Sequence, residues 1–527
     1  MVNFSIIVDQ STNNFPSAMH SLLPTLLLFL FVACQPSSPP EEQVEENSLR
    51  NVLIIIGDDH SANVLGAYGN NLIRTPNLDR MADRGVRFNR AYANAPLCSA
   101  SRQSLITGKY THATGVTLLR TSFPEEEVTI ADHLKSQGYR TGIIGKNHFN
   151  NQKNHGFDVK IERRDYFSYR EQNPGQPIPD SVAVRPPWKP FRDPARIWLN
   201  ADALPGNHYD ADDIGTWYSE QAMRFLAENQ DTSFCLVVGF HEPHSPFNFP
   251  IEYTDKYDPA TIPLPTGSSE DDRWIPEIFR DLTEEERKGI VSAYFASVEY
   301  LDKNVGLILD QLDKLGLAEN TLVVYLGDHG YLLNDHKRFE KHMMWEPAVR
   351  APLLMQGGEK LPAGLTLKPM VEFVDVVPTV LEAIQAPLLS SAQGKSLMPL
   401  IDKETTEHKE FVFSEFLADN KAMVRSDRWK YIFTTGKRDL AQGYATGNPP
   451  PGITHRLYDV VNDPNETKNL YSDPALADTV QLLQKELINW FRETHPNPDS
   501  VSREWTVEQQ LISFCEPPDA QPEIDAK

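Results

Sequence analysis

Four apolar runs punctuate the chain without the alternation of a half-buried strand: NVLIIIG (51–57), TGIIGK (141–146), FCLVVGF (234–240) and TLVVYLG (321–327). Unbroken runs of this length mark strands buried on both faces, as in a parallel sheet. Between them, TPNLDRMADRG (75–85) and TIADHLKSQG (129–138) carry helical spacing. Strands alternating with helices predict an α/β fold, a large, mostly parallel, doubly wound sheet sandwiched by helices. From about residue 400 the pattern changes. FVFSEF, KAMVRSDRWKYIFT and HRLYDV read as short strands, and ADTVQLLQKELINWFRE as one helix. They predict a smaller C-terminal α+β subdomain. No internal repeat is visible.

The strongest apolar run, Leu22 to Ala33, is too short to cross a bilayer, which needs roughly 20 residues. It has the length of a signal-peptide core. Residues 1–18 carry Asp9 and no Lys or Arg, so Met19 is an alternative start. The run ends Phe31-Val32-Ala33-Cys34 before a polar, Pro-rich stretch. This resembles a bacterial lipobox, which implies a lipid on Cys34, a membrane anchor through that lipid alone, and a periplasmic or cell-surface location. An ordinary cleaved secretory peptide is the alternative. Both remove residues 1–33 and export the rest, with 34–49 as a tether.

With 40% hydrophobic and 23% charged residues, the chain can bury a real core. Fifty basic against 73 acidic side chains leave a net charge of −23, which argues against a nucleic-acid partner. An anionic substrate must therefore meet a locally basic pocket. Four cysteines (Cys34, Cys98, Cys235, Cys515) are too few for a disulfide scaffold in 527 residues.

Each of the four predicted strands runs into a polar cluster: Asp58-Asp59-His60, Lys146-Asn147-His148, His241-Glu242-Pro243-His244 and Asp328-His329. Ligand sites in open α/β sheets lie beyond the carboxyl ends of the strands. Any one cluster could be a helix cap or a solvated turn; four together point to one site. Paired Asp with a distant Asp-His suits a hard cation, Ca²⁺ or Mg²⁺, better than zinc. Without a cation, convergent carboxylates repel one another.

The segment Cys98-Ser-Ala-Ser-Arg102-Gln-Ser-Leu-Ile-Thr-Gly108 resembles the type I sulfatase signature, Cys-x-Pro/Ala-x-Arg followed by Leu-x-Thr-Gly. Ala100 stands where Pro is commoner. The resemblance covers about Asn51 to Leu470 and implies the alkaline-phosphatase-like sulfatase fold. It further implies that Cys98 becomes formylglycine (3-oxoalanine) through a maturation enzyme. Asp58, Asp59, Asp328 and His329, with residue 98, would hold one cation, Ca²⁺ or Mg²⁺. Lys146 and His148 fall on the family's Gly-Lys-x-His, His244 on its Pro-His-x-Pro, and Lys341 on its second active-site Lys. The form HEPHSPFNFP with Asp328-His329 is similar to the iduronate-2-sulfatase and choline-sulfatase branches.

The chemistry gives each group a reason. A hydrated aldehyde offers one hydroxyl to attack sulfur and a second to expel sulfate, whereas serine would be left as a stable ester. The cation polarises sulfate oxygens. Lys146, Lys341 and Arg102 offset sulfate charge. His244 can protonate the leaving oxygen, and His148 can take the proton that releases sulfate. His112 in GKYTHATG is a candidate acid/base or subsite residue, or a structural one.

Residues 162–200 form an expected irregular insertion carrying Arg163, Arg164, Arg170, Arg185, Lys189, Arg192 and Arg196 against five acids, with interleaved aromatics. Arg163, Arg164 and Arg170 are candidate contacts for an anionic sugar; a surface loop pinned by its own aromatics is the alternative. The expected organisation is thus a signal at 1–33, the tether, a catalytic domain at 50–400, and a subdomain and tail at 401–527. The expected activity is hydrolysis of sulfate esters on a sulfated polysaccharide or its oligosaccharides, of ulvan, carrageenan or glycosaminoglycan type. A phosphodiester or phosphonate monoester hydrolase and a degenerate glycan-binding lipoprotein are the alternatives.

Overall fold

The main sheet comprises β1 (Asn51–Gly57), β2 (Val86–Tyr92), β3 (Arg140–Gly145), β4 (Val159–Ile161), β5 (Phe234–Gly239), β6 (Thr321–Gly327), β7 (Leu353–Gln356) and β8 (Leu365–Glu372), in the order β4-β3-β5-β1-β6-β7-β2-β8. The structure, a computed structural model, describes residues 48–189, 193–273, 275–436 and 452–516. The expected signal peptide, Met19, Cys34 and nearly all of the tether lie outside the described residues.

The four apolar runs form the centre of the sheet. β1 pairs in parallel with β5 on one side and with β6 on the other, and β3 pairs in parallel with β5. Along β1, Val52, Ile54 and Ile56 enter one core, while Leu53 and Ile55 enter the other. The first core is closed by Leu105 and Ile106 of the helix Cys98–Thr107 and by the helix Val376–Ala383. The second is closed by the helices Ile214–Glu228 and Glu284–Lys314. Burial on both faces is why these runs lack alternation; each such side chain contributes about 1.5–3 kcal/mol. Among the described residues no helix is long and apolar enough to cross a membrane.

The outer half of the sheet was not legible in the same way. VRFNRAY in β2 mixes buried and partly exposed positions, and β7 runs antiparallel between β6 and β2. The C-terminal strands β9 (Val412–Phe416), β10 (Lys421–Arg425), β11 (Trp429–Thr434) and β12 (Thr454–Asp459) form an antiparallel sheet in the order β12-β11-β10-β9. The helix Ala477–Thr494 packs Val480, Leu483, Leu487 and Phe491 into the core that this sheet lines. β9 is tied to the main sheet by Glu415 N–H, which donates to the Asn94 carbonyl at 2.9 Å.

Candidate active site

Because β3, β5, β1 and β6 are adjacent and parallel, their carboxyl ends open onto one edge. The first turn beyond β1 is locked to its neighbours. Asp58 N–H donates to the Glu242 carbonyl, and Asp328 N–H to the Gly57 carbonyl, both at 2.9 Å. Asp59 sits in the left-handed region at φ 63°, unusual for a residue with a side chain. Its N–H donates to Asp328 Oδ1 at 2.9 Å, and its carbonyl accepts from Tyr294 Oη at 2.6 Å. Gly145, at φ 89°, brings β3 so close to β5 that a Cβ there would lie 2.0 Å from the Gly239 carbonyl oxygen. That turn delivers Lys146.

Cys98 is the first residue of its helix, and the preceding Leu97 supplies no side-chain cap. The first-turn N–H groups are thus directed at the place where an anion would sit. Cys98 is 1% exposed. Its Sγ lies 2.9 Å from Lys341 Nζ, 3.5 Å from His329 Nε2 and 3.8 Å from Asp59 Oδ1. Burial and Asp58 push the thiol up, but Lys146 and Lys341 outweigh them and bring it to about 6.

Three buried cations balance three buried carboxylates. Arg102 donates from Nε to Asp328 Oδ2 at 2.9 Å and from Nη1 to the Lys146 carbonyl at 2.7 Å. Lys146 Nζ donates to Asp58 Oδ2, and Lys341 Nζ donates to Asp59 Oδ1 at 2.6 Å. Burial opposes ionisation of Asp58, but Lys146, His244 and Arg102 hold it well below the usual carboxylate range. Burial likewise opposes Asp59, which His244, Lys341 and His329 bring to about 2.

The two candidate proton carriers, both partly exposed, differ in the charges that surround them. His148 is held well below the ordinary histidine value by burial and by Lys146 and Arg102, so its imidazole is neutral. Its Nδ1 is buried without a hydrogen-bond partner. His244 is partly exposed, with Nε2 3.9 Å from Asp59 Oδ2. Burial pulls it down, but Asp59 and Asp58 together outweigh burial, and it stays above the ordinary value. Its Nδ1 is engaged by the Ser245 carbonyl at 2.7 Å, which leaves Nε2 facing the cluster.

The donor set fits a hard divalent cation. The ligand atoms of Asp58, Cys98, Asp328 and His329 lie within 4.8 Å of one another, as do those of Asp58, Asp59, Cys98 and His244. Asp58 Oδ1 and Asp59 Oδ2 are buried with no hydrogen-bond partner. His329 Nδ1 faces the Gly330 carbonyl at 2.9 Å, so Nε2 is the nitrogen turned to the site. Carboxylate oxygens with one imidazole suit Ca²⁺ or Mg²⁺.

Comparison with known proteins agrees with this geometry. The family model described as Sulfatase matches residues 50–386. The chain belongs to the sulfatase family. It is a sulfuric ester hydrolase. A second family model, the C-terminal region of N-sulphoglucosamine sulphohydrolase, matches residues 334–493. This sulfatase is 28% identical to an ulvan-active sulfatase of Formosa agariphila, over 88% of this chain and 84% of that one. It is 27% identical to an N-acetylglucosamine-6-O-sulfatase of Bacteroides thetaiotaomicron, over 89% and 90%. Among solved structures, a phosphonate monoester hydrolase from Silicibacter pomeroyi shares the fold, with a TM-score of 0.71 at 19% identity over 86% of this chain and 98% of that one.

The sulfatase fold brings together Asp58, Asp59, Cys98, Arg102, Lys146, His148, His244, Asp328, His329 and Lys341. It does not bring in His112. That ring is buried between Glu415 of β9, which its Nδ1 meets at 2.9 Å, and Thr494, which its Nε2 meets at 2.8 Å. Both nitrogens are used in tying the C-terminal sheet and helix to the main body, so the structural alternative holds. The insertion also begins less irregularly than expected. Arg163–Gln172 is a helix with a capping box between Glu162 and Asp165. Within it Arg170 is committed to Asp212 at 2.9 Å, and Arg164 to Glu162 at 3.0 Å. Arg170 is not placed as an open sugar contact, because Asp212 holds it within the fold, whereas Arg164 stays exposed with its pair at the surface. Arg163 is exposed over the ring of Phe167, and its charge reaches His241 at the rim. Tyr294 and Gln103 are two further residues that shape the site. Tyr294 holds the Asp59 turn, and Gln103 Nε2 donates to the carbonyls of Asn147 and His148 at 3.2 and 2.7 Å. Gln103 lies inside the signature and could have been suspected; nothing in the sequence around Tyr294 marks it.

Proposed function

We propose that this sulfatase removes sulfate from a sulfated polysaccharide or its oligosaccharides, using formylglycine at residue 98 and one divalent cation, Ca²⁺ or Mg²⁺, and that it works as an exported, lipid-anchored enzyme at a bacterial periplasm or surface. The observation that carries the reading is the convergence of three buried carboxylates and three buried cations on Cys98 at the head of a helix. The relatives named for ulvan and for N-acetylglucosamine-6-O-sulfate support a sugar substrate.

The Cys98 sulfur stands where the matured residue would carry the oxygens of its hydrated aldehyde. Asp58, Asp59, Asp328 and His329 would hold the cation. A divalent cation bound there supplies Lewis-acid polarisation of sulfate oxygens. Lys341, 2.9 Å from the sulfur, and Lys146 present ammonium groups to the anion, and Arg102 fixes Asp328 and the Lys146 backbone. His244, the partly exposed imidazole, gives its Nε2 proton to the leaving alcohol. His148, held neutral, accepts a proton when sulfate departs.

Two measurements test this. Peptide mass spectrometry of protein made with a maturation enzyme should find an aldehyde at residue 98, and Cys98→Ala should fold but not turn over. Aryl sulfate and an aryl phosphate diester assayed in parallel should favour the sulfate. Full activity with an unmodified thiol, or a preference for the diester, would overturn the reading.

A further inference from the structure

Within the 162–200 segment Arg185 is half-buried yet, among the described residues, has no acid to pair with. Arg185 donates from Nη2 to Asn248 Oδ1 at 2.8 Å, and its guanidinium lies 5.8 Å from the Trp188 ring centre. Its Nε and Nη1 are buried without a hydrogen-bond partner. Burial pulls its pKa down to about 10, and no neighbouring carboxylate offsets the fall. Arg164 and Arg170 each pair with an acid of the protein itself, and Arg163 is exposed to water. A buried guanidinium left without an anion is costly, and proteins keep such groups where a ligand supplies the missing charge.

Its position connects it to the reaction centre. Asn248 belongs to the loop that follows β5, four residues beyond His244. In residues 241–250 the partly exposed positions are His241, His244, Ser245 and Asn248, while the rest are buried. Phe247 N–H closes a turn onto the His244 carbonyl at 2.9 Å, which keeps Asn248 near that histidine. His244 Nε2 in turn lies 3.9 Å from Asp59 Oδ2. A single loop therefore runs from the sulfate-facing cluster to the Asn248–Arg185 pair.

We propose that Arg185, oriented by Asn248 and flanked by Trp188, recognises a second anionic group of the substrate, a carboxylate or another sulfate on the same or the adjoining sugar. This rests on the sulfated-carbohydrate reading and narrows it to substrates with at least two negative groups. Arg185 is a specificity residue: the scissile sulfate is held by the cluster around residue 98, and the second anion selects which sugar is presented.

The test is binding to the full-length Cys98→Ala protein, with and without Arg185→Ala, by titration calorimetry. Three probes are matched in their scissile sulfate: a monosulfated neutral sugar, a sulfated sugar joined to a uronate, and a disulfated sugar. Loss of a charge-assisted contact should weaken at least one dianionic probe about ten- to hundredfold, against about threefold or less for the neutral one. Which dianionic probe responds identifies carboxylate or sulfate. Arg185→Gln, which keeps an amide for Asn248, should reproduce the loss, and Arg185→Lys should recover only part of it. Equal weakening of all three probes, or none for either dianionic probe, would overturn the inference while leaving the sulfatase reading intact. Failure of every probe to bind, with Arg185 in place, would fault the carbohydrate reading and this inference with it.

Discussion

Arg102→Met tests whether the charge balance around Cys98 is as tight as it looks. Methionine keeps the aliphatic stem and removes the guanidinium. Asp328, buried and 2.9 Å from Nε, then loses its cation, and the Lys146 carbonyl loses a donor at 2.7 Å. Breaking a buried pair from one side costs about 3–5 kcal/mol. Residues Asn47–Lys527 form one compact unit. At roughly 2 cal/mol/K per residue its unfolding entropy is about 1 kcal/mol/K, so the midpoint should fall by about 3–5 °C. Calorimetry on chelator-treated protein makes the comparison clean, because no bound cation then compensates Asp328. Activity should fall further, by about a hundredfold or more, since both Asp328 and Lys146 lose their fixed positions. Adding Asp328→Asn to Arg102→Met removes the stranded charge and should restore most of the midpoint but none of the activity. A midpoint within about 1 °C of wild type for Arg102→Met would refute the reasoning.

Chelation should abolish aryl sulfate turnover, and Ca²⁺ or Mg²⁺ should restore it; Asp328→Ala with full activity after chelator treatment would contradict the cation site. His112→Ala should lower stability by about 2–3 kcal/mol through two lost buried hydrogen bonds, with kcat/KM on aryl sulfate changed less than about threefold. A fall in kcat/KM without loss of stability would return His112 to the site. Burial pushes Asp375 up, but Lys409 and His408 bring it to about 2, below the ordinary carboxylate value. Its contribution, about 2 kcal/mol, is present above the unfolded pKa near 4 and is lost as pH falls from there to 2. The gap in urea midpoint between wild type and Asp375→Asn should therefore narrow by about half as pH drops from 6 to 3, and a constant gap would argue against it.

The centre of the sheet could be read from the chain because burial on both faces leaves no other pattern, and the same strands announced the site by ending in charge. The signature at Cys98 and the cations Arg102, Lys146 and Lys341 were legible through the resemblance to the sulfatase family. The misreadings arose where partners lie far away in sequence. Nothing around His112 foretells that Glu415 and Thr494 will occupy both its nitrogens. Arg170 looks available until Asp212 folds against it. The Glu162–Asp165 capping box was visible as a helix start inside a segment expected to be irregular. β2 is hard to read because its positions are of mixed polarity, and β7 because four residues inserted antiparallel leave no periodic trace.

The strand order has a consequence for how the chain folds as it is made. β1 is the first central strand to emerge, but its two neighbours, β5 and β6, follow about 180 and 270 residues later. For about 180 residues of synthesis β1 presents two unpaired edges of an almost wholly apolar strand, and for about 90 more it presents one, the kind of surface that recruits other chains. Such long-range parallel pairing is also intrinsically slow. Half-made chains should therefore depend on holding chaperones until residue 327 is available, and C-terminal truncations that stop before β6 should aggregate rather than accumulate as smaller folded forms.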